Sequence, residues 1–357
     1  MELDLNERLT GLLSAGIDLS ILRAMEWVWR SSGEAAPPAR PAGLLERYAG
    51  GRLRENPSAF FPAPPTPRME VRDEGWDHGA RIEHLRWNSG YRTWDASFQE
   101  EYDSYQANRT ARASCLWQAD PSRPTLIGIH SWMAGGRHAQ TRIFPRDALF
   151  DALGFNLVRF TLPFHGARTP LQARFGGQLF PGRSPQRTNE GFGQTIWDLR
   201  GLVSYLLERG SGPVGVAGMS LGGYCAALLA SFEPRLAFSV PIIPFVELAE
   251  LMWSHGGKRV GPERLRAETG GESLEDLKAL YAIHCPLEHA PVIPVERRMI
   301  IAGKGDRICF PEHVQRLWEH WDRPAIHWWA GSHVAQFGRS QAYQALGAFL
   351  KRACAAV

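Results

Sequence analysis

Hydrophobic and polar positions along this chain fall into blocks whose lengths predict strands separated by helices. Two early runs, 81–87 and 112–118, alternate between polar and apolar residues, as half-exposed strands do. Later runs are almost continuously apolar, which is typical of parallel strands covered on both faces. These later runs are 125–129, 156–161, 214–217, 237–243, 299–302 and 325–329.

Helical patterns lie between the apolar runs, and this alternation predicts an α/β fold with a doubly wound, mostly parallel sheet. The stretch from 243 to 299 is longer than one crossover helix needs and contains two apolar helical segments. We expect a small helical cap at about 244–296 that walls a pocket over the carboxyl edge of the sheet. Two ordinary crossover helices without a role in selection are the alternative. The helices predicted between strands are 139–152, 190–209, 221–231, 311–322 and 340–354.

The beginning of the chain differs from the rest. Residues 1–58 have helical patterns, and the proline-rich run 61–67 can be neither helix nor sheet interior. We therefore predict a helical N-terminal extension with its linker over 1–75 and an α/β domain over 76–357. The first helix carries few basic residues, so packing on the main domain is favoured over an interfacial membrane anchor.

The composition of the chain limits which kinds of binding partner and which cellular location we expect. Hydrophobic residues make up 44% and charged residues 22% of the 357 residues, as in ordinary globular proteins. A net charge of +3 is too small to indicate a nucleic-acid partner, and no apolar run approaches the ~18 residues of a membrane span. The five cysteines are scattered without a C-x-x-C pair, so neither a disulfide framework nor a metal site is indicated. The acidic N-terminus lacks a signal pattern, and we expect a cytoplasmic location; oligomeric state is not indicated.

Residues 213–230 pass from a short apolar run through the motif G-x-S-x-G into a helical segment rich in alanine and leucine. A strand that turns abruptly into a helix needs residues without bulk on both sides, and Gly218, Gly222 and Gly223 meet that need. Ser220 would stand at the tip of the turn with its hydroxyl projecting outward. Because the motif also arises as a glycine-rich turn with an incidental serine, the flanking strand and helix carry the assignment.

Two later loops offer partners for Ser220. An alcohol is a poor nucleophile at neutral pH and needs a base, which in turn needs an orienting acid. Asp306 and His333 each follow a predicted strand and a glycine turn, and parallel strands end at one edge of the sheet. The order Ser220, Asp306, His333 predicts a catalytic triad. Glu247, which follows the preceding strand, is the alternative acid; a turn aspartate and a loop histidine are the structural alternatives.

Acyl transfer places negative charge on the carbonyl oxygen, so the site needs backbone N–H donors. The amide of Leu221, directly after the nucleophile, is the first candidate. The loop that follows the 125–129 strand offers the second, and by position we expect the amide of Trp132. A structural glycine turn is the alternative role of this loop.

These residues resemble the α/β-hydrolase superfamily from about residue 80 to the end of the chain. The matching motifs are G-M-S-L-G at Ser220, I-H-S-W at 129–132, L-P-F-H-G at 162–166, G-K-G-D at Asp306 and G-S-H at His333. The chain departs from the family at Ser131 and Phe164, where members commonly have glycine. The resemblance implies a serine hydrolase without a cofactor, in which His165 is a structural loop histidine.

We therefore predict hydrolysis of a carboxylic ester in a small-molecule acyl substrate through an acyl-enzyme. One fold serves many chemistries, so thioesterase, lactonase and peptidase activity with the same triad are alternatives. A hydrolase-fold binding protein without turnover is the alternative from another functional class.

Overall fold

The computed structural model describes residues 5–31, 43–260 and 273–355, and within them nine strands form one sheet. The strands, in chain order, are β1 (Glu70–Asp77), β2 (Ala80–Asn88), β3 (Thr110–Trp117), β4 (Thr125–Ile129), β5 (Asn156–Thr161), β6 (Val214–Met219), β7 (Ser239–Ile242), β8 (Met299–Gly303) and β9 (Ala325–Trp329).

The sheet combines an antiparallel end with a parallel body. Its strand order is β1-β2-β3-β5-β4-β6-β7-β8-β9. The pairs β1–β2, β2–β3 and β3–β5 are antiparallel, and every pair from β5–β4 to β8–β9 is parallel. The predicted doubly wound, mostly parallel sheet is therefore confirmed.

Helices cover both faces of the sheet and the N-terminal part of the chain. The α-helices of the described residues are α1 (Leu5–Ser31), α2 (Leu44–Ala49), α3 (Gly51–Glu55), α4 (Gln99–Ser104), α5 (Arg137–Ile143), α6 (Pro185–Glu208), α7 (Leu221–Leu229), α8 (Leu248–Val260), α9 (Leu274–Tyr281), α10 (Pro311–His320) and α11 (Arg339–Ala355). Short 3₁₀ turns lie at Pro57–Ala59, Ala96–Phe98, Gln106–Arg109, Gly166–Arg168, Ala282–His284, Pro286–Glu288 and Val295–Arg297, and one π turn at Asp147–Asp151.

Two features differ from the sequence-based expectation. β1 was not predicted, because its side chains are exposed along most of its length and show no apolar alternation. The helix predicted over 139–152 is divided into α5 and the π turn at Asp147–Asp151. Pro145 lies between them, and proline lacks the N–H that a continuous helix needs.

The N-terminal extension shares the main core. Tyr48 on α2 is 1% exposed, and its hydroxyl donates to the Glu190 carboxylate on α6 at 2.5 Å. Glu190 also accepts from the Tyr91 hydroxyl at 2.7 Å and from the backbone N–H groups of Trp94 and Asp95. A buried carboxylate is stable only when donors surround it, so this cluster ties the extension to α6.

A membrane-spanning helix, which needs both length and an apolar composition, is not found in the described parts of the chain.

Candidate active site

Ser220 occupies a strained turn between β6 and α7. Its backbone has φ 56° and ψ −113°, a combination that residues with a Cβ adopt at a cost of about 1–3 kcal/mol. The backbone N–H of Ser220 donates to the carbonyl of Ile242 on the neighbouring strand at 2.9 Å. Such strain persists only where surrounding contacts impose it.

Two glycines make this turn sterically feasible. A Cβ on Gly218 would lie 1.9 Å from the carbonyl oxygen of Gly222, and a Cβ on Gly222 would lie 2.0 Å from that of Ile129. Real Cβ atoms do not approach backbone oxygens so closely, so both positions require glycine. The Gly222 contact also brings the loop that follows β4 alongside the start of α7.

Asp306 and His333 are joined by a direct hydrogen bond. His333 Nδ1 donates to Asp306 Oδ2 at 2.8 Å. The other carboxylate oxygen, Oδ1, accepts from the backbone N–H groups of Ile308 at 2.8 Å and Cys309 at 2.7 Å. Because Asp306 is 1% exposed and held by these donors, it fixes the ring of His333 with Nδ1 protonated and Nε2 available as a base.

The charge of Asp306 also changes the acidity of His333. Burial is the largest single effect and opposes the charged imidazolium, but Asp306 and, after it, Cys309 together raise the pKa of His333 well above its usual range. The imidazole therefore holds its proton to higher pH than an ordinary histidine does.

Cys309 lies between the hydroxyl of Ser220 and the ring of His333. Its Sγ is 3.8 Å from Ser220 Oγ, and the thiol also interacts with the His333 side chain. Burial raises the pKa of the Cys309 thiol, and His333 opposes that shift. The thiol is therefore held in its protonated form, in which it is a weak nucleophile.

The three predicted triad residues are thus brought to one place with different degrees of contact. Asp306 and His333 touch directly, and Ser220 reaches the same cluster through Cys309. Within the described residues, Ser220 Oγ makes no hydrogen bond to His333. Hydrogen bonds between nucleophile and base are often long or misaligned without substrate. For Ser220 to donate a hydrogen bond to His333, its side chain would have to rotate away from Cys309.

Glu247, the alternative acid, lies in a different environment. It is 8% exposed, its Oε2 is 3.9 Å from the Cys285 thiol, and its Oε1 has no hydrogen-bond partner among the described residues. Burial raises the pKa of Glu247 to about 7, with Glu250 adding to the shift. The carboxylate that contacts His333 is that of Asp306.

The loop after β4 is held by buried neutral histidines. His130 Nδ1 donates to the Ser131 carbonyl at 2.7 Å, while Nε2 accepts from the backbone N–H of Leu162 at 3.1 Å. Burial lowers the pKa of His130 to about 4 and that of His165 to about 3, with the neighbouring His130 adding to the shift of His165. Trp132 is anchored by its indole N–H, which donates to the Gly177 carbonyl at 2.7 Å.

Leu221, the other predicted oxyanion donor, is the first residue of α7. The N–H groups of a first helical turn have no partner within the helix, so the position suits an N–H donor. The use of Leu221 and Trp132 as oxyanion donors stays a prediction.

Asp18 on α1 is a site residue that the sequence analysis missed. It is fully buried, and its carboxylate accepts from the backbone N–H groups of Arg307, His333 and Val334, each at 3.0 Å. The Ser332 hydroxyl lies 2.8 Å from the same carboxylate. Asp18 therefore holds together the loop that follows Asp306 and the loop that carries His333.

The sequence contains a weak signal for this role. Ser14, Ala15, Asp18 and Leu22 are buried at spacings of three and four residues, which places them on one face of α1. An unpaired carboxylate in the middle of a buried helix face needs donors from elsewhere in the fold.

Helix α8 contacts the loop of Asp306 from another side. The His255 Nε2 donates to the Ile308 carbonyl at 2.8 Å, and its ring stacks on Phe310. This contact places part of the predicted cap segment next to the candidate site. The described residues contain no group of three or more His, Cys, Asp or Glu side chains arranged to hold a metal ion.

Comparisons with known proteins agree with this architecture. Residues 145–256 match the family model described as alpha/beta hydrolase domain containing 18. The chain is also 34% identical over 307 residues to an uncharacterized protein of Mycobacterium tuberculosis, an alignment that covers 83% of this chain and 70% of the relative.

Two solved structures are similar over most of their length. Acetyl xylan esterase 1 from Thermoanaerobacterium sp. JW/SL YS485 has a TM-score of 0.59 at 18% identity, covering 88% of this chain and 99% of the esterase. The acetyl xylan esterase from Paenibacillus sp. R4 has a TM-score of 0.60 at 14% identity, with coverages of 87% and 99%. At these identities the likeness concerns the fold.

Proposed function

Because the chain belongs to the α/β-hydrolase superfamily, we propose that it is a serine hydrolase that cleaves a carboxylic ester through an acyl-enzyme. Ser220 is the nucleophile, His333 the base and Asp306 the residue that orients the base. The proposal depends on one observation above all: the strained Ser220 lies one side chain away from a buried Asp306–His333 pair.

The first half of the reaction forms the acyl-enzyme. The Ser220 hydroxyl turns from Cys309 toward His333 and attacks the carbonyl carbon as its proton passes to His333 Nε2. The negative charge that develops on the carbonyl oxygen is held by the N–H groups of Leu221 and Trp132. As the ester bond breaks, the imidazolium of His333 gives its proton to the departing alkoxide, and the acyl group stays on Ser220.

The second half releases the acid. Water enters in place of the alcohol, and His333 takes its proton while the oxygen attacks the acyl carbon. The Ser220 oxygen leaves and recovers the proton from His333. Asp306 stays ionised throughout and stabilises the transient imidazolium.

Ser220 is favoured over Cys309 as the nucleophile for two reasons. Ser220 directly precedes the first turn of α7, next to the Leu221 N–H, whereas Cys309 lies two residues before α10, whose first residue, Pro311, has no N–H to donate. In addition, burial raises the pKa of the Cys309 thiol, which keeps it from forming the reactive thiolate.

An ester is favoured as the substrate because the two acetyl xylan esterases with a similar fold are named for ester cleavage. The same triad can also cleave thioesters, lactones and peptides, so the residues that line the pocket determine which class of acyl substrate is cleaved. Helix α8, beside the Asp306 loop, is the part of the predicted cap that we expect to contribute to that choice.

The test is a comparison of the full-length protein with its Ser220→Ala variant. We expect the wild type to hydrolyse p-nitrophenyl acetate and to be labelled by a fluorophosphonate, and the variant to do neither. Full labelling of Ser220→Ala would refute the assignment. A folded wild-type protein that neither turns over esters of graded chain length nor is labelled would favour the non-catalytic binding protein.

A further inference from the structure

A basic cavity of about 480 Å³ lies on one face of the antiparallel end of the sheet. Strands β1, β2, β3 and β5 form its floor, and α5 covers one side. Its volume is in the range of small-molecule sites, roughly 300–1,000 Å³. Ser220, Asp306 and His333 do not line it, so the cavity is separate from the candidate active site. The lining includes five arginines: Arg72, Arg86, Arg112, Arg137 and Arg159.

Two of the four arginines on the floor strands, Arg112 and Arg159, have a buried donor without a partner. Arg159 on β5 is 8% exposed; one of its terminal nitrogens donates to the Phe144 carbonyl at 2.8 Å, but its buried Nε has no partner. The buried Nε of Arg112 on β3 is likewise without a partner. A buried N–H donor without a partner is costly, and this cost is removed when an anion accepts a hydrogen bond from it.

The pairing of the strands concentrates this charge. Arg112 lies directly opposite Arg86 in the β2–β3 register, and like charges at opposed positions destabilise a sheet. Burial lowers the pKa of Arg112, with Arg86 adding to the effect. Burial also lowers the pKa of Arg159 to about 10, helped by Arg137 and Arg146.

Nearby carboxylates do not neutralise these side chains. Glu74 pairs with His84 at 3.2 Å and with Arg72 at 3.3 Å. Glu70 lies opposite Arg86 in the β1–β2 register but forms no ion pair with it within 4 Å. Within the described residues, no carboxylate pairs with Arg86, Arg112, Arg137 or Arg159.

We propose that this cavity binds a small soluble molecule that bears at least two phosphate charges. The planar guanidinium fork matches phosphate oxygens with two parallel hydrogen bonds, and several forks around one cavity favour a polyanion. Ser114, Thr161 and Gln140 supply neutral polar groups in the same lining. Binding satisfies the orphaned donors and removes the repulsion between Arg86 and Arg112.

Isothermal titration of the full-length protein with inorganic pyrophosphate tests the proposal. We expect saturable binding with one site per chain, together with a rise in melting temperature beyond that caused by potassium chloride at equal ionic strength. A titration without saturable heat would overturn the proposal.

Three variants separate the cavity from general surface charge. Arg112→Gln and Arg137→Gln should each weaken pyrophosphate binding at least tenfold; Arg137 is exposed on α5, so its variant should fold even if Arg112→Gln does not. Arg81→Gln, on the opposite face of β2, removes the same charge outside the cavity and should bind as the wild type does. Equal affinity of Arg137→Gln and Arg81→Gln would refute the site. Because binding is measured without turnover, the result is independent of the hydrolase proposal.

Discussion

Asp18 and His333 are joined by a hydrogen bond of 3.0 Å that spans 315 positions of the chain. The donor is the backbone N–H of His333, and the acceptor is a carboxylate on the N-terminal helix. Through this bond and its neighbours to Arg307, Ser332 and Val334, α1 becomes part of the candidate active site. We expect Asp18 to act as a positioning residue, because it contacts the loops of the triad and not the reacting atoms.

Asp18→Asn should lower kcat by about 10²-fold with little change in KM, since displacing reacting groups by about 1 Å can cost this much. The asparagine NH₂ would face backbone N–H groups that now donate to a carboxylate oxygen. Steady-state kinetics and the rate of fluorophosphonate labelling would measure the effect.

The matched control for Asp18 is Leu22→Ala, which removes packing on the buried face of α1 but no bond to the triad loops. Assayed well below its melting temperature, it should keep kcat within a few-fold of the wild type. Equal losses in the two variants would mean that Asp18 serves only to dock the helix. No labelling of the wild type would instead count against the hydrolase proposal itself.

The pH profile of kcat/KM should reflect the raised pKa of His333. The reaction needs neutral imidazole, so activity should fall as the pH decreases through this pKa, which lies above the ordinary value of about 6.5. Asp306→Asn removes the charge that raises it, and the acid limb of the profile should move to lower pH. We also expect kcat to drop by roughly 10⁴-fold, as when a triad loses its orienting carboxylate. An acid limb that stays in place in Asp306→Asn would contradict this account.

Cys309→Ala should retain turnover and fluorophosphonate labelling within about tenfold of the wild type, because the neutral thiol is not the nucleophile. Treatment of the wild type with iodoacetamide should for the same reason leave activity unchanged over the labelling time of the serine. If Cys309→Ala were inactive while Ser220→Ala kept its activity, the roles of the two residues would have to be exchanged.

Gly222→Ala should destabilise the fold severely, by more than about 4 kcal/mol, since its Cβ would lie 2.0 Å from the Ile129 carbonyl oxygen. Gly16→Ala on α1 is the matched control: its Cβ would meet nothing within 4 Å, and alanine favours a helix over glycine by about 1 kcal/mol. Urea unfolding midpoints would measure both changes. Near-equal midpoints would show that the elbow tolerates a side chain at this position.

The parallel strands of the sheet could be predicted because the pattern that identifies each of them lies within the strand itself. Each of β4 to β9 is a short apolar run, and a buried strand needs little else to be recognised. The same holds for the turn at Ser220, where the crowding around Gly218 and Gly222 demands glycine in the motif itself.

The features that were missed arise from contacts between distant parts of the chain. Asp18 is one of three acidic residues in the sequence of α1, and its role is evident only from its hydrogen bonds to the loops after β8 and β9. Cys309 carries no local pattern that would place it beside Ser220. The basic cavity likewise depends on the register that sets Arg86 opposite Arg112, which no short motif encodes.

The large sequence separation between Asp18 and its hydrogen-bond partners has a consequence for the order in which parts of the protein fold. The turn at Ser220 is made by neighbours in the chain, whereas the bonds of Asp18 close loops of 289 to 316 residues, and such closures are slow. During refolding, we expect tryptophan fluorescence to recover first and enzymatic turnover to return later, when the N-terminal helix docks.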